Sequence, residues 1–205
     1  MRVGETDRVY LFYRPFRRYQ DLRPLVLAYH GFSGTAGGMA ESSQLHELAK
    51  KHGFYLAYPD GDPTWKLFVP GGLDESPDLT FFDQLVDQLS DRYPIDRQRV
   101  YVVGMSRGGD FAIYLAERRS TEVAAVVSQG ACVEQVGVCQ RPFPVLFIVG
   151  TKDDRVPPQR FPATPDAMRL AGHPVEVLRP VGVGHRWHVP LNDQVWAFLA
   201  RHRLD

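Results

Sequence analysis

Gly104-Met105-Ser106-Arg107-Gly108 fits the pattern G-x-S-x-G. A serine hydroxyl can attack a substrate when it stands clear at the end of a strand, on a sharp strand-to-helix turn. That turn strains the serine backbone and crowds the residues two before and two after, where only small side chains fit. Gly109 extends the small-residue run. A glycine-rich turn without chemistry would also satisfy the pattern. The context gives it weight: the apolar run Val100–Gly104 leads in, and a helical stretch from about Arg107 to Arg119 leads out.

A serine nucleophile needs a base to take its proton and a carboxylate to orient that base. On this kind of turn the order along the chain is serine, then Asp or Glu, then His, each on the loop after a strand. The chain supplies that order. Val145–Val149 leads into Gly150-Thr151-Lys152-Asp153-Asp154-Arg155, and Val175–Leu178 leads into Gly182-Val183-Gly184-His185. His185 is the candidate base. Asp153 and Asp154 are neighbours, and the residues alone leave the choice of acid open. His188 lies close to His185, whereas His46, His52, His173 and His202 read as structural or solvated.

The tetrahedral intermediate of acyl transfer also needs donors for its oxyanion. His30-Gly31-Phe32-Ser33-Gly34 follows the second clear strand, where a second donor belongs. The backbone N–H groups of Phe32 and Arg107 are the expected pair, with the Phe32 ring lining an acyl pocket and His30 holding the loop by a hydrogen bond. Phe32, Trp65, Phe68 and Trp187 fall on loops at the C-terminal edge of the expected sheet, where ligands bind in such folds. Trp65 and Trp187 are the expected substrate-binding aromatics.

The elements that must position these groups alternate in type. Apolar runs at Val9–Tyr13, Leu25–Tyr29, Phe54–Tyr58, Val100–Gly104, Val123–Ser128, Val145–Val149 and Val175–Leu178 read as strands. The first is expected to pair as a hairpin with Met1–Val3. Helices are expected around Ser43–His52, Asp78–Tyr93, Arg107–Arg119, from Thr164, and over Asn192–Arg203. Strand–helix repetition of this kind makes a doubly wound, mostly parallel sheet with helices on both faces. The expectation is a single α/β domain over residues 1–205 with no cap domain.

The 205 residues carry 24 Lys+Arg against 24 Asp+Glu. That balance argues against nucleic acid or an anionic membrane as the main partner. There is neither a signal-like apolar stretch at the N-terminus nor a membrane-length run, so the chain reads as cytoplasmic, although a mature secreted form would look the same. Cys132 and Cys139 match no metal or redox spacing; a loop disulfide and two free thiols are both open. The expected partner is a small-molecule ester, with the protein a monomer or homodimer.

The chain resembles the small α/β-hydrolases of the esterase and poly(3-hydroxybutyrate) depolymerase-like group, which includes feruloyl esterases. The resemblance rests on His30-Gly31, Tyr58-Pro59-Asp60-Gly61, Trp65, Asp78, Tyr93-Pro94-Ile95-Asp96, Arg99-Val100-Tyr101, Gly104-Met105-Ser106, Gly108-Gly109, Gly150-Thr151 with Asp153, Val156-Pro157, and Gly184-His185 with Trp187. It implies the α/β-hydrolase fold, Asp153 as the acid, Trp65 near the site, no metal or organic cofactor, and hydrolysis of carboxylic esters through an acyl-enzyme. Arg107 departs from the Asn common after the serine, and the Trp65–Pro77 loop is this chain's own. Acyl-thioesterase or lysophospholipase-type action, a peptidase, and a non-catalytic binding protein are the alternatives.

Overall fold

A computed structural model describes residues 1–15, 21–61, 64–67, 76–133, 136–156, 161 and 163–205. In chain order the strands are β1 (Arg2–Val3), β2 (Thr6–Asp7), β3 (Tyr10–Tyr13), β4 (Arg23–Tyr29), β5 (Tyr55–Pro59), β6 (Ile95–Met105), β7 (Ala125–Gln129), β8 (Val145–Ile148) and β9 (Val175–Leu178). The helices are α1 (Ala36–Ser43), α2 (Leu45–His52), α3 (Pro77–Arg92), α4 (Arg107–Arg118), α5 (Ala163–Leu170) and α6 (Asn192–Leu199).

The main sheet has seven strands in the order β3-β5-β4-β6-β7-β8-β9. All neighbours pair in parallel except β3, which runs antiparallel to β5 at one edge. Successive strand side chains point to opposite faces, and the core divides accordingly. Leu25, Leu27, Tyr29, Val100 and Val102 pack with Phe81, Phe82 and Leu85 of α3 and with Phe111 and Leu115 of α4. Val26, Ala28, Tyr101 and Val103 pack with Met39 of α1, Leu48 of α2 and Phe198 of α6. A strand buried on both faces must be apolar throughout, which is why Val100–Val103 lies at the sheet's centre.

Three details differ from the sequence expectations. The N-terminal hairpin pairs Arg2–Val3 with Thr6–Asp7, not with Val9–Tyr13, which joins the main sheet instead. The short Gly4 turn closes the hairpin before the chain reaches Tyr10. An extra helix, α1, precedes α2; Thr35 caps it by accepting the Gly38 N–H at 3.1 Å. Strand β6 begins five residues earlier than Val100, at Ile95, because Arg23 pairs there after a register shift.

Both cysteines are free thiols. Cys132 Sγ lies 3.1 Å from Thr164 Oγ1, and Cys139 Sγ lies 3.9 Å from His173 Nε2. Among the described residues no helix is long and apolar enough to cross a membrane.

Candidate active site

Ser106 sits between the end of β6 and the start of α4 with φ 54° and ψ −122°. A non-glycine residue at positive φ is strained and is held there by its surroundings. The surroundings are backbone. The Ser106 N–H donates to Gln129 O at 2.7 Å, and Ser106 O accepts the Gly109 N–H at 2.7 Å. A Cβ at Gly104 would fall 2.1 Å from Gly108 O, and one at Gly108 would fall 2.3 Å from Tyr29 O. Both motif glycines are therefore required by close backbone approach. Arg107 opens α4, so its N–H has no intrahelical acceptor and is available at the helix N-terminus.

Asp153 and His185 come together from the loops after β8 and β9. His185 Nδ1 lies 2.9 Å from Asp153 Oδ1 and 3.0 Å from Oδ2. An ionised carboxylate only accepts, so Nδ1 carries the proton and Nε2 is left as the free acceptor. Asp153 is 4% exposed, and its Oδ1 also accepts the N–H groups of Arg155 and Val156, each at 3.0 Å. Asp154, the alternative acid, is exposed. The two loops are laced together: Lys152 N–H donates to Val183 O at 2.9 Å, and Gly182 N–H donates to Thr151 Oγ1 at 2.9 Å. The imidazole lies against the end of β7, where a Cβ on Gly130 would sit 3.2 Å from His185 Cε1.

The loop after β4 faces the same turn. A Cβ at Gly31 would lie 3.5 Å from Ser106 Cβ. Gly34 N–H closes a tight turn on Gly31 O at 3.0 Å, with Ser33 at φ 54°. This bond leaves the Phe32 N–H outside the turn's own pairing. The Phe32 ring is 71% exposed. His30 holds the loop, as expected. Its Nε2 accepts the Gly61 N–H at 2.9 Å, which puts the ring proton on Nδ1, 2.8 Å from Gly31 O.

The two tryptophans do not line a cleft. Trp65 is 1% exposed, stacks on Phe111 at 5.1 Å between ring centroids, and donates Nε1–H to His30 O at 2.8 Å. Trp187 is buried in the opposite core and donates Nε1–H to Asn192 Oδ1 at 2.9 Å. Each indole ring packs in apolar surroundings while its polar N–H finds a buried acceptor. Phe68 and most of the Trp65–Pro77 loop lie outside the described residues.

Sequence reasoning missed two supports. Gln129 closes β7; its C=O receives the Ser106 N–H and its Nε2–H donates to Arg186 O at 2.7 Å, which ties the serine turn to the histidine loop. A glutamine ending the apolar run Ala125–Ser128 was the available signal. Arg8 and Asp78 form a buried ion pair at 2.7 Å; Arg8 also donates to Asp60 O, and Asp78 Oδ2 accepts the Lys66 N–H at 2.7 Å. That pair anchors the Trp65 segment beneath the His30 loop, and no local pattern announces it.

The parallel sheet, the antiparallel edge strand and the strained serine between the central strand and its helix define the α/β-hydrolase fold. An acetyl xylan esterase from Aspergillus awamori superposes with a TM-score of 0.79 over 97% of this chain and 96% of its own, at 15% identity. The chain belongs to the esterase PHB depolymerase family, whose sequence profile matches residues 8–139. It is 30% identical over 135 residues to a bifunctional acetylxylan esterase/xylanase from Neocallimastix patriciarum, covering 64% of this chain and 19% of that protein. It is 27% identical over 142 residues to feruloyl esterase B from Piromyces equi, covering 65% of this chain and 26% of that protein. The chain thus spans a minor part of the length of these curated relatives. The family match includes Ser106 and ends before Asp153 and His185, whose pairing rests on the geometry above.

Proposed function

We propose that the protein hydrolyses carboxylic esters through an acyl-enzyme, with Ser106, His185 and Asp153 as nucleophile, base and orienting acid. The observation that carries this reading is the doubly contacted Asp153–His185 pair, whose histidine loop Gln129 ties to the turn that holds Ser106 at positive φ. Ser106 Oγ attacks the ester carbonyl while His185 Nε2 takes its proton. The Phe32 and Arg107 N–H groups bind the oxyanion. His185 then returns the proton to the leaving alcohol, the C–O bond breaks, and the acyl group remains on Ser106. A water, deprotonated by His185, attacks the acyl carbonyl and releases the acid and the free serine. Asp153 keeps His185 in the tautomer that this sequence needs. The names of the relatives support esters of small or aromatic acids as substrates, and the proposed chemistry calls on no cofactor.

Labelling by a fluorophosphonate and hydrolysis of a short-chain aryl ester test the reading. Ser106→Ala should abolish labelling and reduce kcat by about a millionfold. Full activity in that variant would refute it.

A further inference from the structure

Gln129 holds two of the proposed catalytic segments at once. Its main-chain O accepts the Ser106 N–H at 2.7 Å, and its side-chain Nε2–H donates to Arg186 O at 2.7 Å. Arg186 in turn donates its N–H to Gly184 O at 2.9 Å, which closes a three-residue turn with His185 at its centre. The base therefore sits on a turn whose far end is tied to the same residue that receives the nucleophile's own N–H. That residue is firmly placed. Gln129 ends β7 between two parallel neighbours, opposite Met105 of β6 and Ile148 of β8, and is 3% exposed. The next residue extends the anchorage. Gly130 N–H donates to Ile148 O at 2.8 Å, and a Cβ there would fall 2.9 Å from Met105 Cε and 3.2 Å from His185 Cε1.

The chemistry of the side chain points the same way. A carbonyl only accepts, so the amide turns its NH2 end to Arg186 O. Its other end, Oε1, is buried with no hydrogen-bond partner among the described residues. A buried acceptor left unpaired costs stability. An apolar side chain of equal length would avoid that cost at Oε1 but could not hold Arg186 O. We propose that Gln129 is a positioning residue for the proposed reaction: through Arg186 O it sets where His185 Nε2 stands relative to Ser106 Oγ. Proton transfer requires hydrogen-bond reach between those two atoms. A misplacement of about 1 Å can cost about 10²-fold in rate. Buried as it is, Gln129 acts through His185 and not on substrate. The inference rests on the ester-hydrolase reading and goes beyond it, since Gln129 is neither a triad member nor an oxyanion donor.

The test is a double-mutant cycle on one activated aryl ester, 4-nitrophenyl acetate, with the folding of each variant followed by thermal unfolding. Gln129→Met keeps the side-chain length and loses the donor. It should lower kcat by about 10- to 100-fold, with KM within about twofold and Tm close to that of wild type. Gln129→Glu, whose ionised carboxylate cannot donate to Arg186 O, should show the same split between kcat and KM, and serves if Gln129→Met folds poorly. In a His185→Ala background Gln129→Met should cause no further loss, because the ring it positions is gone. A residue with only a structural role would lower both backgrounds by the same factor. Unchanged kcat in a folded Gln129 variant, or an equal fractional loss with and without His185, would overturn the inference and leave the ester-hydrolase reading standing. Full activity in His185→Ala would overturn both.

Discussion

Asp153 Oδ1 accepts from His185 Nδ1 at 2.9 Å and from two backbone N–H groups, those of Arg155 and Val156, at 3.0 Å each. The carboxylate is thus fixed by its own loop before it orients the ring. Asp153→Asn keeps the shape but presents an amide where a pure acceptor stood. One amide face would favour the wrong imidazole tautomer, and kcat should fall by about 10⁴-fold. Asp154→Asn, at an exposed position, should leave kcat within about twofold. Steady-state kinetics on one aryl ester separates the two. Equal losses in both variants would show that Asp153 is not the orienting acid.

The paired acid and histidine loops give a sharper contrast between two glycines, one on each. A Cβ at Gly150 would meet Val183 O at 2.1 Å, so Gly150→Ala must push the acid and histidine loops apart. It should cost about 3 kcal/mol or more, an upper-end value for overpacking. Gly182 has φ 76°, and a Cβ added there would meet nothing within 4 Å, so Gly182→Ala faces only backbone strain of about 1–2 kcal/mol. Thermal unfolding should show Tm losses in that order. A larger loss in Gly182→Ala would contradict the close packing at Gly150.

The order proposed for Ser106, Asp153 and His185 is legible because each follows an apolar run, and such runs are the strongest local signal of a buried strand. Choosing Asp153 over Asp154 needs either a resemblance or the fold, since adjacent residues share composition but not direction. Helix α1 is hidden by Gly37 and Gly38, which lower local helix propensity; the Thr35 cap and the packing of Ala36 and Met39 compensate. Trp65 and Trp187 mislead because an aromatic on a loop looks the same whether it faces ligand or core. What decides it is an acceptor for the indole N–H, supplied by His30 O and Asn192 Oδ1 from elsewhere in the fold.

Trp65 and Phe32 should therefore respond oppositely to mutation. Trp65→Phe removes the donor to His30 O from a buried site, at a cost of about 1–3 kcal/mol. For a chain of this length that is a Tm loss of roughly 2–4 °C per kcal/mol. Phe32→Ala removes a ring that is 71% exposed, and stability should stay within about 0.5 kcal/mol. Its effect should appear in KM for aryl esters instead. Differential scanning fluorimetry paired with kinetics would expose the reverse pattern if Trp65 contacted substrate.

Acid sensitivity should arise in part from His173. Burial pushes its pKa below the usual imidazole range, against a smaller opposing effect of the Phe143 backbone. In the fold the neutral ring accepts the Phe143 N–H at Nδ1, 3.2 Å away. As pH falls through about 6.5 the unfolded chain takes up a proton that the folded ring resists. The unfolded state then binds more protons, so stability drops as the pH is lowered, until the folded pKa is crossed. His202, likewise lowered by burial and then by Arg201, adds a loss of the same sign. His173→Asn can place an amide oxygen where Nδ1 stood but does not titrate. Urea unfolding at pH 7 and pH 5 should show a smaller stability loss on acidification in His173→Asn than in wild type. Equal losses in the two proteins would remove His173 as a source of the acid response.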